Sequence, residues 1–134
     1  MNLLIILNER ISDWVDKGEI TDNYFNPDDY FDNITILSLV NNENVSNKTL
    51  KIICGKAKFK IFICKNKILT NKFLQFFCPM IIIKNIALQE FSFLKSEKIN
   101  IIQSIGDGFS SFVSAILSEK FKISFFLSIH TVVN

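Results

Sequence analysis

The chain has 134 residues, 49% of them hydrophobic, and a formal net charge of +2. That composition suits one globular domain burying about two-thirds of its unfolded surface, and it excludes a disordered tail. The lysines are scattered without a block of like charge, which excludes a nucleic-acid footprint but permits peripheral contact with an anionic membrane face.

Short apolar runs alternate with longer mixed segments along the chain. Leu3–Leu7 reads as the first strand, closed by Asn8, Glu9 and Arg10. It is too short for the apolar region of a signal peptide. Asp13–Tyr30 occupies the first crossover and is expected to hold a short helix, made irregular by Gly18, Asn26 and Pro27. Ile34–Val40 is the second strand, and the Asn-rich stretch Asn41–Lys48 is a loop. Leu50–Cys54 and Phe59–Cys64 read as two further strands, with Gly55-Lys56-Ala57-Lys58 joining them as a hairpin and putting an antiparallel pair at one edge. A helix is predicted over about Ile81–Ser96, with Pro79 near its first turn. The whole stretch Phe73–Leu94 is broken by polar residues and falls short of the roughly 18 apolar residues of a membrane span.

Ile99–Ser104 and Ile123–Ile129 complete the strands. Between them Phe109, Phe112, Val113, Ile116, Leu117 and Phe121 form an i, i+3, i+4, i+7 stripe, with Ser110, Ser111, Ser114 and Ser118 on the other face. Asp107 is the expected N-cap, with Gly106 and Gly108 permitting the turn. Near-continuous apolarity in the strands indicates cover on both faces. The predicted fold is therefore α/β, a Rossmann-like, mostly parallel sheet with helices on both faces, spanning residues 1–134 as one domain.

The candidate chemistry is sparse. Cys54, Cys64 and Cys78 lack paired spacing and the chain has a single histidine, so no metal site and no cofactor are expected. Reduced, buried thiols fit a cytoplasmic protein. Asp28, Asp29 and Asp32 read as a solvated acidic turn. The 14 phenylalanines, alongside many Ile, Asn and Lys, fit AT-rich coding that fills a core better than a stacking platform. Gly106-Asp107-Gly108 is not a dinucleotide fingerprint, because Ser111 stands where the third glycine belongs. It reads first as a tight strand-to-helix turn; its helix-start amides beside Ser110 and Ser111 could also face a hydroxyl or phosphate. His130, just past an apolar strand, belongs at the rim where ligands enter an open parallel sheet.

Strand, Gly-Asp-Gly turn, helix of small and apolar residues, then a strand closing on Ser128-Ile129-His130 resembles the amino-terminal domain of family 4 (group 1) glycosyltransferases of the GT-B fold. Lys17-Gly18-Glu19-Ile20-Thr21, with Tyr24-Phe25-Asn26-Pro27 and Phe31-Asp32, is similar to the segment one bacterial branch places between its first two strands. The two stretches cover the ends of the chain; Asn41–Lys98 carries no diagnostic motif. The resemblance implies a retaining transfer of a sugar from a nucleotide sugar to a glycan or lipid-linked acceptor, as in polysaccharide biosynthesis at the inner face of the membrane. It implies His130 as the catalytic-site residue, contacting donor sugar or leaving phosphate, and Gly106, Asp107, Gly108 and Ser110 at the acceptor. Gly18 and Glu19 would lie near the donor diphosphate, although the family's Gly-Gly-x-x-Glu loop is not present.

The nucleotide-binding second domain of such enzymes, with its Lys/Arg and paired Glu residues, is not found in this sequence. The implied entity is an acceptor-side half: a subunit of a split enzyme, a truncated copy or an excerpt, inactive without a partner half. The alternative is a stand-alone α/β binding or interaction module without catalysis. Receiver and flavodoxin types of module are disfavoured, because Asn8-Glu9-Arg10 supplies neither an acidic pair nor a phosphate loop.

Overall fold

A computed structural model describes residues 1–106 and 108–128. Five strands form one sheet in the order β3-β2-β1-β4-β5, every neighbouring pair parallel. They are β1 (Asn2–Leu7), β2 (Asn33–Ser38), β3 (Lys58–Ile63), β4 (Ile101–Ile105) and β5 (Ser124–Ser128). In β1, Leu3–Leu7 are all inaccessible to solvent. Leu4 and Ile6 enter one core, and Leu3, Ile5 and Leu7 the other, as the two-residue period of a strand demands. That double burial is why β1 reads as a pure apolar run.

Parallel neighbours need crossovers, and helices supply them. Helices α1 (Ile11–Asp16) and α2 (Asn47–Cys54) cover one face through Ile11, Trp14, Leu50 and Ile53. The other face is covered by α3 (Lys67–Thr70), α5 (Met80–Glu90) and α6 (Phe109–Phe121), through Leu69, Ile83, Ala87, Val113 and Leu117. The six-residue α4 (Lys72–Phe77) buries no side chain. The predicted Rossmann-like α/β fold is thus present, with a sheet that is entirely parallel.

Three local expectations are corrected. Leu50–Cys54 lies in α2, not in a strand. Ser46 accepts a hydrogen bond from the Thr49 amide at 3.2 Å, capping the helix, and Leu50, Ile53 and Cys54 are buried at helical spacing. A five-residue apolar run fits either period, and the demand for a crossover decided it. Gly55–Lys58 is accordingly no hairpin and no antiparallel edge is present among the described residues: Gly55, at φ 60, ends α2, and β3 starts at Lys58. The predicted helix Ile81–Ser96 is α5 only to Glu90, followed by 3-10 turns over Ser92–Glu97. Helices α3 and α4, which the sequence reading lacked, start at Asn66 and Asn71, whose side chains each accept two backbone N–H bonds.

The last helix matches Phe109–Phe121, but its serine face is not solvated. Ser110 and Ser114 are fully buried, and the Ser110 hydroxyl lies 3.3 Å from that of Ser104 of β4. Small side chains there let the helix approach the sheet closely. Asp107, the expected cap, lies outside the described residues. Gly108 stands at the cap position at φ 69, with no side-chain cap bond.

Candidate functional site

The chain leaves β1 toward β2 and β3 on one side and returns to β4 and β5 on the other. In open parallel sheets the crevice at such a reversal, beyond the carboxyl ends of the strands, is where ligands bind. Asn8 occupies that place. On one side of it lies a cleft of about 440 Å³ lined by Asn8, Glu9, Arg10, Asp13, Trp14, Lys17, Glu19, Val40 and Asn42. On the other lies a cleft of about 270 Å³ lined by Asn8, Leu39, Val40, Leu69, Thr70, Lys72, Gln75 and Phe109. Asn8 and Val40 form the ridge between the two.

The walls of the larger cleft are held by side-chain bonds. Glu9 accepts the Trp14 indole N–H at 3.0 Å, which fixes the buried ring beneath the cleft. The Arg10 guanidinium donates to Asp13 at 3.2 Å and to Asn44 at 3.0 Å. Its Nε–H is buried without an acceptor among the described residues. Tyr24 and Phe25 pack against Trp14 with ring centroids 6.4 Å away, pinning the irregular first crossover to the sheet. Burial, and secondarily the Glu19 charge, raise the Tyr24 phenol above its ordinary value.

The first strand-to-helix turn carries a feature that sequence reasoning missed. In nucleotide-binding α/β folds the free amides at this helix start face a phosphate. Here Glu43, from the loop after β2, fills that position. Its buried carboxylate accepts the Ile11 amide at 2.5 Å, the Ser12 hydroxyl at 2.7 Å and the Asn44 amide at 3.1 Å. A lone acid in an Asn-rich loop gives no sequence signal of this role, because its partners on the first helix, Ile11 and Ser12, lie 32 and 31 positions upstream.

The predicted site residues fall into two sets around Asn8. Glu19 lines the larger cleft, and Gly18 adjoins it at φ 70, with open space where a Cβ would stand. Across the ridge, Gly106 has φ 94, and a Cβ there would lie 3.1 Å from Asn8 Oδ1. A glycine thus lets the β4–α6 turn approach the end of β1. Gly108, at φ 69, also has open space around it. Ser110 faces inward: it is fully buried and its hydroxyl donates to the Ile105 carbonyl at 3.0 Å. Asp107 and His130 lie outside the described residues. Around the larger cleft stand the acids Glu9, Asp13 and Glu19 and the bases Arg10 and Lys17, so no excess of positive charge awaits an anion. Among the described residues no group of His, Cys, Asp and Glu gathers as a metal cluster, and no helix is long and apolar enough to cross a membrane.

No family model matches the chain, and no curated protein matches it. Two solved structures of the C-terminal domain of a hydrogenase from Pyrococcus furiosus are similar in shape. One has a TM-score of 0.50 at 9% identity, covering 97% of this chain and 90% of that chain. The other has a TM-score of 0.49 at 13% identity, covering 95% and 90%. Identities this low carry the fold and nothing of the chemistry: the chain shares the layered α/β architecture of that domain.

Proposed function

We propose that this chain is the acceptor-side half of a GT-B glycosyltransferase. It would hold a glycan or lipid-linked acceptor at the strand-end crevice while a second half holds the nucleotide sugar. The observation that carries the reading is the occupation of the first helix start by Glu43. A half that bound the donor diphosphate through its first turn would need those amides free; an acceptor-side half does not. The mixed charges of the larger cleft favour hydroxyl groups over phosphates, since carboxylates accept O–H donors and repel anions. Glu9 and Glu19 would then bind acceptor hydroxyls, which moves Glu19 from the donor-diphosphate role the resemblance implies to the acceptor side, and the Gly106–Gly108 turn would border the acceptor from the other side of Asn8. In the resemblance His130 is the remaining participant, donating a hydrogen bond to charge developing on the leaving phosphate.

The test is complementation. The purified chain is assayed with a panel of nucleotide sugars and membrane-lipid acceptors, alone and joined to the nucleotide-binding half of a related enzyme. Transfer is expected only in the joined form, because positioning both substrates supplies much of the rate. His130→Ala should lower that turnover by about 10²–10³, the size of losing one donor to transition-state charge. Micromolar binding of a nucleotide sugar by the chain alone, or silence of the joined form across the panel, would overturn the proposal.

A further inference from the structure

Helices α4 and α5 turn an apolar surface outward that the fold does not use. From Asn71 to Ile82 no residue is buried. Phe73, Phe76 and Phe77, at i, i+3, i+4 spacing on α4, and Met80 and Ile81 at the start of α5, are 67% to 83% exposed. The aromatic rings pack on one another, with centroids 5.0 Å apart for Phe73–Phe77 and 5.2 Å for Phe76–Phe77, so they form a contiguous ridge. The inner side of α5 is satisfied separately by Ile83 and Ala87 in the core. Single exposed apolar residues need no explanation, but a contiguous patch of large ones marks an interaction surface.

The charges beside the ridge select the partner. From residue 65 to residue 89 the chain has four lysines and no acidic residue. Lys84 lies one helical turn beyond Met80 on the exposed side of α5. There it lines a cavity of about 250 Å³ with Lys120 and Lys122 of the α6 end, against one acid, Glu119. None of these three lysines is ion-paired among the described residues. Cores of protein interfaces are depleted in lysine, and two copies of this face would set lysine against lysine. A surface with aromatic and aliphatic residues flanked by three cations against one acid matches a bilayer interface carrying anionic lipid.

We propose that the α4–α5 face docks on an anionic lipid bilayer. The phenylalanines, Met80 and Ile81 enter the boundary between headgroups and acyl chains, and Lys84, Lys120 and Lys122 meet headgroup phosphates. The weakly basic composition permitted such contact without locating it. The inference is independent of glycosyl transfer, since it uses no residue of the strand-end crevice.

Co-sedimentation of the whole chain with phosphatidylcholine vesicles, with and without phosphatidylglycerol, tests it. Binding is expected with phosphatidylglycerol and should weaken as salt rises. The double variant Phe76→Ser/Phe77→Ser should lose roughly tenfold or more in partition. Lys84→Glu, or Lys120→Glu with Lys122→Glu, should lose about fivefold or more. The denaturant midpoint should hold in each, because the altered side chains are exposed. No partition into anionic vesicles, or partition that these folded variants leave unchanged, overturns the proposal. So does a concentration-dependent dimer, without vesicle binding, that Phe76→Ser/Phe77→Ser abolishes, which would assign the face to a second copy.

Discussion

Glu43 shows how one side chain can set the character of a site. Its carboxylate replaces whatever anion the α1 amides would otherwise attract, and so ties the β2–α2 loop to the β1–α1 turn. Removing it leaves the buried Ile11 N–H without its partner, which costs more than the bond itself contributed. Glu43→Ala is expected to lower stability by about 1–3 kcal/mol. Glu43→Gln should fall between, because an amide oxygen can still accept one bond. Denaturant midpoints of the three proteins check this, and coincident midpoints would mean the carboxylate holds nothing. Sequence alone named Glu9, Arg10 and Glu19 near the first turn but gave no reason to single out Glu43. Long-range partners leave no local pattern.

At the scale of elements, α6 was read correctly in extent and incompletely in orientation. The stripe of Val113, Ile116 and Leu117 is buried as its period implies, while Phe112, placed mid-stripe by the same period, is half-buried. Leu117→Ala should cost about 2–5 kcal/mol through lost burial and a residual cavity, and Phe112→Ala should cost less. Ser114 is fully buried, yet its hydroxyl donates only to the Ser110 carbonyl one turn back, at 2.7 Å. Ser114→Ala should therefore stay within about 1 kcal/mol of the parent, whereas Ser114→Leu should overpack the helix–sheet contact by about 1–3 kcal/mol. Equal unfolding midpoints for Leu117→Ala and Ser114→Ala would refute this helix phase. Helix α2 was misread because Leu50–Cys54 is short enough to satisfy both periods. Conversely, β5 is apolar although Phe125, Phe126 and Leu127 are all partly exposed at the sheet edge. Apolarity recorded the strand but not its cover.

For the whole molecule, burial of thiols couples stability to alkaline pH. Burial pushes the Cys54 thiol up to about 12 from an ordinary 9.0, and also raises that of Cys64. The folded state therefore keeps a proton that the unfolded chain releases. The contribution is complete below about pH 9 and is lost as pH rises toward about 12. Unfolding midpoints should fall across that window, and Cys54→Ala should flatten the fall relative to the parent protein. A parallel decline in both proteins would assign it to other groups.

The sequence by itself determined the α/β class, the five strands of the sheet, to which it wrongly added Leu50–Cys54, and the helix Phe109–Phe121. Burial on both faces of β1 and on one stripe of α6 writes itself into local periodicity. It also marked Gly106 as a turn, since positive φ calls for glycine. Only the tertiary structure decided the 3-2-1-4-5 order that brings the first crossover and the β4–α6 turn to either side of Asn8. It alone seated Glu43 on the first helix and left the α4–α5 ridge uncovered. Those facts depend on which distant segments meet, and the free energy of such meetings belongs to pairs of residues that no single stretch of sequence contains.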